Sequence, residues 1–233
     1  MNDLTIKQAQ EIMKPQRRGF EEPTDQSDLI IPRAKLLQAL SPEVAEGTLK
    51  SGQIINNITG EVLPEKFVPI FVYLEWFRFN ARDKNKPGYD PNFDLGALIW
   101  RTRDHNDERT KEADFGASGE RPIANRVLQF FSVFEGQEMP VVIGFSSTSY
   151  KAGKKLLSLA KFTGGDMFSK KYSLTAKHVK NDKGSYYVLE IATAGLAGED
   201  EYKKAEVFWD SFRNKKFETK AEETAEETEE APF

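Results

Sequence analysis

VPIFVYLEWFRF, Val68 to Phe79, is the stretch whose reading decides the fold. Its β-branched and aromatic residues favour a pleated strand over a helix. Alternation puts Val72, Leu74 and Trp76 on one face and Phe71, Tyr73, Phe77 and Phe79 on the other. A strand apolar on both faces is either buried twice or keeps one face for a ligand, and the sequence leaves both readings open.

Downstream, Asn80 to Asn125 is polar, charged and broken by glycine and proline, with one apolar run at Ala97 to Trp100. We read 80–125 as a long excursion from the sheet carrying one strand, Leu98 to Thr102. Loops of this length are uncommon in compact domains and often functional. Strand signals return at Arg126 to Glu135 and, after the turn Gly136-Gln137, at Met139 to Phe145. Ser146 to Ser149 offers helix caps, a helix follows to about Phe162, and Gly164-Gly165 ends it. Tyr172 to Val179 and Ser185 to Thr193 read as a hairpin joined at 181–184. Glu201 to Phe212 fits a closing helix with Tyr202, Ala205, Phe208, Trp209 and Phe212 on one face.

Upstream, the chain turns apolar over Leu29 to Leu37, where Pro32 limits any strand to an edge or a start. Ser41-Pro42-Glu43 marks a turn or short helix. Lys50-Ser51-Gly52 precedes a strand at Gln53 to Ile58 that returns through Thr59-Gly60 to Glu61 to Leu63. Strands with turns between them, one helix inside the series and one closing it, predict a mainly β fold. The expected architecture is an OB-fold-like barrel with an inserted helix, a C-terminal helix and a disordered acidic tail. The expected organisation is a flexible arm over 1–28, one domain over 29–214 and the tail over 215–233.

Composition narrows the function. The chain has no cysteine, which excludes disulfides, thiolate zinc sites and cysteine catalysis. No run approaches the roughly 18 apolar residues of a spanning helix, and Met1 to Gln10 lacks a signal-peptide core. His105 and His178 stand far apart without metal-ligand spacing. Asp104 to Glu108 lacks the calcium-loop order, and the glycine pairs lack a phosphate-loop lysine. No cofactor, no metal and no enzymatic activity are expected.

Net charge is −4, but its distribution matters more than its sum. Phe217 to Phe233 holds seven glutamates and one lysine, so the rest of the chain carries +2. Glu222, Glu223, Glu226, Glu227, Glu229 and Glu230 precede Ala231-Pro232-Phe233. Such a segment reads either as a solubilising end or as a docking peptide. In the second reading, glutamates give long-range attraction to a basic pocket and Phe233 supplies the apolar anchor. The same glutamates can mimic phosphates and compete for the protein's own basic groove.

This tail resembles the acidic, Phe-terminated tails of bacterial and T7-type phage single-stranded DNA-binding proteins. Pro140 to Phe162, PVVIGFSSTSYKAGKKLLSLAKF, and Leu36 to Val44 are similar to segments of phage proteins of that wider group. The resemblance implies an OB fold, cooperative coating of exposed strands during DNA replication and recombination, and self-association. It also implies docking of the tail residues Glu226, Glu227, Glu229, Glu230 and Phe233 onto replication or recombination proteins. The expected location is the cytoplasm of a bacterial host, with no membrane partner.

Two features give this a physical basis. On the helix Tyr150 to Phe162, Tyr150, Gly153, Leu156, Leu157 and Ala160 share one side, while Lys151, Lys154, Lys155 and Lys161 fill a separate sector. That lysine face is either an ordinary solvated face or a track for phosphates. Aromatic and basic residues also interleave: Trp76 with Arg78, Trp100 with Arg101 and Arg103, Lys171 and Lys177 with Tyr186 across the hairpin. Bases stack on such rings at roughly 1–3 kcal/mol each without sequence preference. The competing reading makes the same rings core. Together these residues predict sequence-independent binding of single-stranded DNA; the alternative is a phage structural or assembly β protein that binds no nucleic acid.

Overall fold

The computed structural model describes residues 30–162, 164–181 and 184–213. The N-terminal arm expected over 1–28 and the tail residues Glu226, Glu227, Glu229, Glu230 and Phe233 lie outside the described residues.

Among the described residues, eight strands and three α-helices follow one another in the mainly β order expected: β1 (Ala34–Leu36), α1 (Pro42–Ala45), β2 (Ile54–Asn56), β3 (Lys66–Phe79), β4 (Leu98–Thr102), β5 (Asn125–Phe134), β6 (Val141–Phe145), α2 (Tyr150–Phe162), β7 (Lys170–Asn181), β8 (Gly184–Leu196) and α3 (Glu199–Phe212). The main sheet is antiparallel and runs β6-β5-β3-β7-β8, with β4 added to β3. With α2 standing between the third and fourth of these core strands in the chain, this is the strand order of the OB fold, a partly open barrel.

β3 organises the sheet. One edge pairs with β5 from Phe67 to Phe77, and the other is shared between β7 at Lys66 and Phe67 and β4 at Trp76 to Phe79. Pro69 cannot donate to the ladder, and the register shifts between Pro69 and Phe71. The bulge resets the alternation. Phe67, Val72 and Leu74 pack on one side of the sheet, whereas Val68, Ile70 and Phe71 pack on the other. Both open readings of this strand's faces resolve to burial over its first half, because a helix covers each face.

α2 covers the inner face. Ala152, Leu156 and Ala160 join Phe130, Phe134, Ile143, Phe145, Tyr172 and Ile191 in the larger core. Its helical spacing brings these small and branched residues onto one stripe. Gly153 lets the helix close on the sheet: a Cβ there would stand 2.6 Å from Phe145 Cβ. α3 covers the outer face, where Ala205 is buried and Tyr202, Phe208, Trp209 and Phe212 pack against Phe131, Val133, Val142 and Phe168. This is the aromatic face read from the sequence. Each large side chain so buried contributes about 1.5–3 kcal/mol, and two such layers explain why β5 is apolar on both sides.

The segment around β1 reaches both end strands of the main sheet, β6 and β8. At one end, Arg33 bridges Val142 in parallel and Val142 N–H donates to the Pro32 carbonyl at 2.8 Å. At the other, the Gln38 side chain meets the backbone of Tyr187 on β8. β1 itself pairs with β2, which is bridged by Val62 as the return from Thr59-Gly60 suggested. Among the described residues no helix is long and apolar enough to cross a membrane.

Candidate nucleic-acid interface

The lysine face of α2 is exposed at Lys151, Lys154, Lys155 and Lys161. Lys155 Nζ donates to the Ile191 carbonyl at 2.6 Å, so this lysine also ties the helix to β8. Lys161 lies in the last turn, where a cation complements the helix dipole. At the helix start, Tyr150 lies between two cations, with Arg126 at 5.7 Å and Lys154 at 5.6 Å from its ring centre. Arg126 is exposed and is the second residue of β5. Cations over an aromatic face hold the ring's orientation and leave positive charge at the surface.

The β7–β8 hairpin adjoins this ridge. A depression lined by Leu36, Gln38, Ser146 to Ser149 and Tyr187 separates the helix start from the hairpin. Tyr187 packs against His178 with ring centres 5.1 Å apart, and Tyr186 pairs with Val179 and is half-buried. Lys177 is exposed, with Glu190 at 3.9 Å, a separation worth little in water. The structure therefore brings the α2 lysines, Lys177 and Tyr186 onto neighbouring elements.

Arg101 and Arg103 lie elsewhere, on the outer face of β3. There Glu75 is buried to 1% exposure and accepts from Arg101 Nη2 at 3.2 Å, Arg103 Nε at 3.3 Å and Gln129 Nε2 at 3.2 Å, with Arg101 Nε in ion-pair range at 2.9 Å. Arg33 Nη2 donates to Gln129 Oε1 at 3.1 Å, and the Arg103 guanidinium lies 3.9 Å over the Tyr73 ring. Burial pushes the Tyr73 phenol up, outweighing the opposing charge of Arg103, so it stays a proton donor. Arg33 and Gln129 were not singled out from the sequence. The signal for them was a polar residue inside an apolar run, Ile30 to Leu37 and Val127 to Phe131 respectively.

Four expected site residues are committed to structure instead. Trp76 and Trp100, expected as stacking surfaces, are only 5% and 6% exposed and form a small cluster with Ala124. The cluster exists because the excursion folds back on the sheet. Asn80 holds its first half: the side-chain oxygen accepts from Asp90 N–H at 2.7 Å and the amide nitrogen faces the carbonyls of Asp90, Phe93 and Asp94. Glu112, in the 3-10 turn Glu108–Ala113, accepts from both Arg78 Nη1 and Trp100 Nε1 at 3.2 Å. Arg78 also donates to the Gly88 carbonyl. Lys171 bridges Glu135 at 3.2 Å and Glu201 at 2.7 Å, clasping α3 to β7.

Fold and surface together define the class: a mainly β protein of OB strand order, with a cationic helix ridge on one side and an arginine group on the other. The chain belongs to the Pam3 phage gp34-like protein family, whose profile matches residues 4–218. It is accordingly a member of a phage protein family. No curated protein and no solved structure matches it.

Proposed function

We propose that the protein binds single-stranded DNA without sequence preference and serves phage DNA replication or recombination. The observation that carries this reading is the ridge of Lys151, Lys154 and Lys161 with Tyr150 held between Arg126 and Lys154, on a barrel of OB strand order. Lysines along a helix neutralise successive phosphates and release counterions, which gives affinity without base readout. Tyr150, beside these cations, and Tyr186 and Tyr187 on the neighbouring hairpin are the rings offered for stacking. Membership of a phage protein family supports the biological setting. The glutamate-rich end acts as a competing polyanion and as the docking peptide for replication or recombination proteins.

The test is an anisotropy titration of labelled oligo-dT with full-length protein at two salt concentrations, repeated after deletion beyond Phe217. Salt-sensitive binding that tightens on deletion is expected. Absence of binding at low salt would return the protein to the alternative, a phage structural or assembly protein. Binding that is unchanged by deletion would remove the self-competition while leaving strand binding intact.

A further inference from the structure

We propose that the outer face of β3 and β5 holds a site for a phosphate group, floored by Arg33 and Tyr73 and edged by Arg101 and Arg103. The floor is built from donors that lack acceptors. Arg33 is 7% exposed; its Nη2 reaches Gln129, while Nη1 is buried and meets no partner among the described residues. The Tyr73 hydroxyl is likewise buried without one. Native proteins leave few such groups unmet, and each calls for an explanation.

The neighbouring acceptors are already engaged. Glu75 Oε1 takes Arg103 Nε and lies 2.9 Å from Arg101 Nε as an ion pair, Glu75 Oε2 takes Arg101 Nη2 and Gln129, and Gln129 Oε1 takes Arg33 Nη2. Neither the carboxylate nor the amide is positioned to satisfy Arg33 Nη1 or the phenol. The backbone is adapted to this arrangement as well: a Cβ on Gly144 would stand 2.8 Å from Arg33 Nη2 and 3.0 Å from Gln129 Oε1. The Arg101 and Arg103 side chains keep 19% and 27% of their surface exposed, so the group borders solvent there.

What fits a guanidinium N–H and a phenol O–H beside two further arginines is an anion with several acceptor oxygens. Phosphate has that geometry, and guanidinium groups pair with it through charge-assisted bonds. The phosphate comes either from a strand lying across this face or from a free phosphate group. The site lies on the opposite side of the sheet from the α2 ridge and stands on its own geometry, whatever the outcome of the strand titration.

The experiment compares thermal unfolding and calorimetric titration of the full-length protein in sodium phosphate and in sodium chloride at equal ionic strength. Tyr73→Phe removes one oxygen and keeps the ring under Arg103; Arg33→Lys is the second variant, should the first unfold. Saturable stabilisation of the unaltered protein by phosphate is expected, with affinity lowered roughly tenfold in Tyr73→Phe, the effect of one lost hydrogen bond. A parallel loss of oligo-dT affinity assigns a strand phosphate; unchanged oligo-dT affinity with lost phosphate binding assigns a free one. The site is refuted if phosphate stabilises no more than chloride, or if both variants bind it as the unaltered protein does. Replacing Lys151, Lys154 and Lys161 by alanine in parallel reports on the strand reading separately, since those residues lie outside this site.

Discussion

Gln38 and Tyr187 exchange two hydrogen bonds across 149 positions of sequence: Gln38 Nε2 donates to the Tyr187 carbonyl at 3.0 Å, and Tyr187 N–H donates to Gln38 Oε1 at 2.9 Å. A side-chain amide thus copies the pairing that a neighbouring strand would offer β8. Gln38→Ala should cost about 2 kcal/mol, two net hydrogen bonds at a half-buried site. Urea denaturation measures the loss, and hydrogen exchange at Tyr187 N–H should accelerate. Unchanged exchange would mean the pair does not protect the edge of β8.

Glu75 holds two guanidiniums in a buried position, and removing a buried partner is far more costly than removing an exposed one. Glu75→Gln should destabilise by about 3 kcal/mol or more on that account. A loss under about 1 kcal/mol, the scale of an exposed pair, would show that water reaches the group freely.

The clasp between Lys171 and Glu201 makes attachment of α3 depend on pH. Burial pushes the Glu201 carboxyl up, but hydrogen bonds from Lys171 and Gly198 N–H outweigh it and hold the group below its ordinary value of 4.5. The bond to Glu201 raises the Lys171 ammonium above its ordinary 10.5. A lowered carboxylate contributes stability fully above 4.5 and loses it as pH falls through the folded value; a raised ammonium contributes below 10.5 and loses it as pH rises through its own. Stability should therefore fall off on both sides of that window, reported by Trp209, which lies on the packed face of α3. Glu201→Gln should flatten the acid limb, and an unaltered acid limb would assign it to other carboxylates.

Gly153 stands where helix and sheet approach most closely. Gly153→Ala should cost about 1–3 kcal/mol through overpacking against Phe145, although alanine favours a helix. Gain of stability in this variant would contradict the packing.

Replacing Lys151, Lys154 and Lys161 together by alanine should weaken oligo-dT binding and lower the slope of log affinity against log salt by about 2, three single-strand phosphate contacts. Circular dichroism should remain unchanged, because these side chains are exposed. An unaltered slope would dissociate the ridge from binding.

Much of the fold was legible because its signals are local. The run Val68 to Phe79, the caps at Ser146 to Ser149 and the periodicities of α2 and α3 depend on neighbours within a turn or a strand, and the element order followed from them. The lysine sector of α2 was legible for the same reason: helix geometry puts those residues opposite a buried stripe. The tryptophans were not. Whether Trp76 and Trp100 line a surface or a core depends on the excursion folding back through Asn80 and Glu112, contacts between residues 10 to 34 positions apart.

By itself, then, the sequence determined the strands, the helices and their apolar faces, since local sterics and periodic burial act within each element. Tertiary structure alone decided which polar residues meet. Arg33, Tyr73, Glu75, Arg101 and Gln129 converge only because β1, β3, β4 and β5 are brought together, and pairing over such distances leaves no local trace. The contact between Gln38 and Tyr187 is of the same kind, one paid for by the whole fold rather than by its own segment.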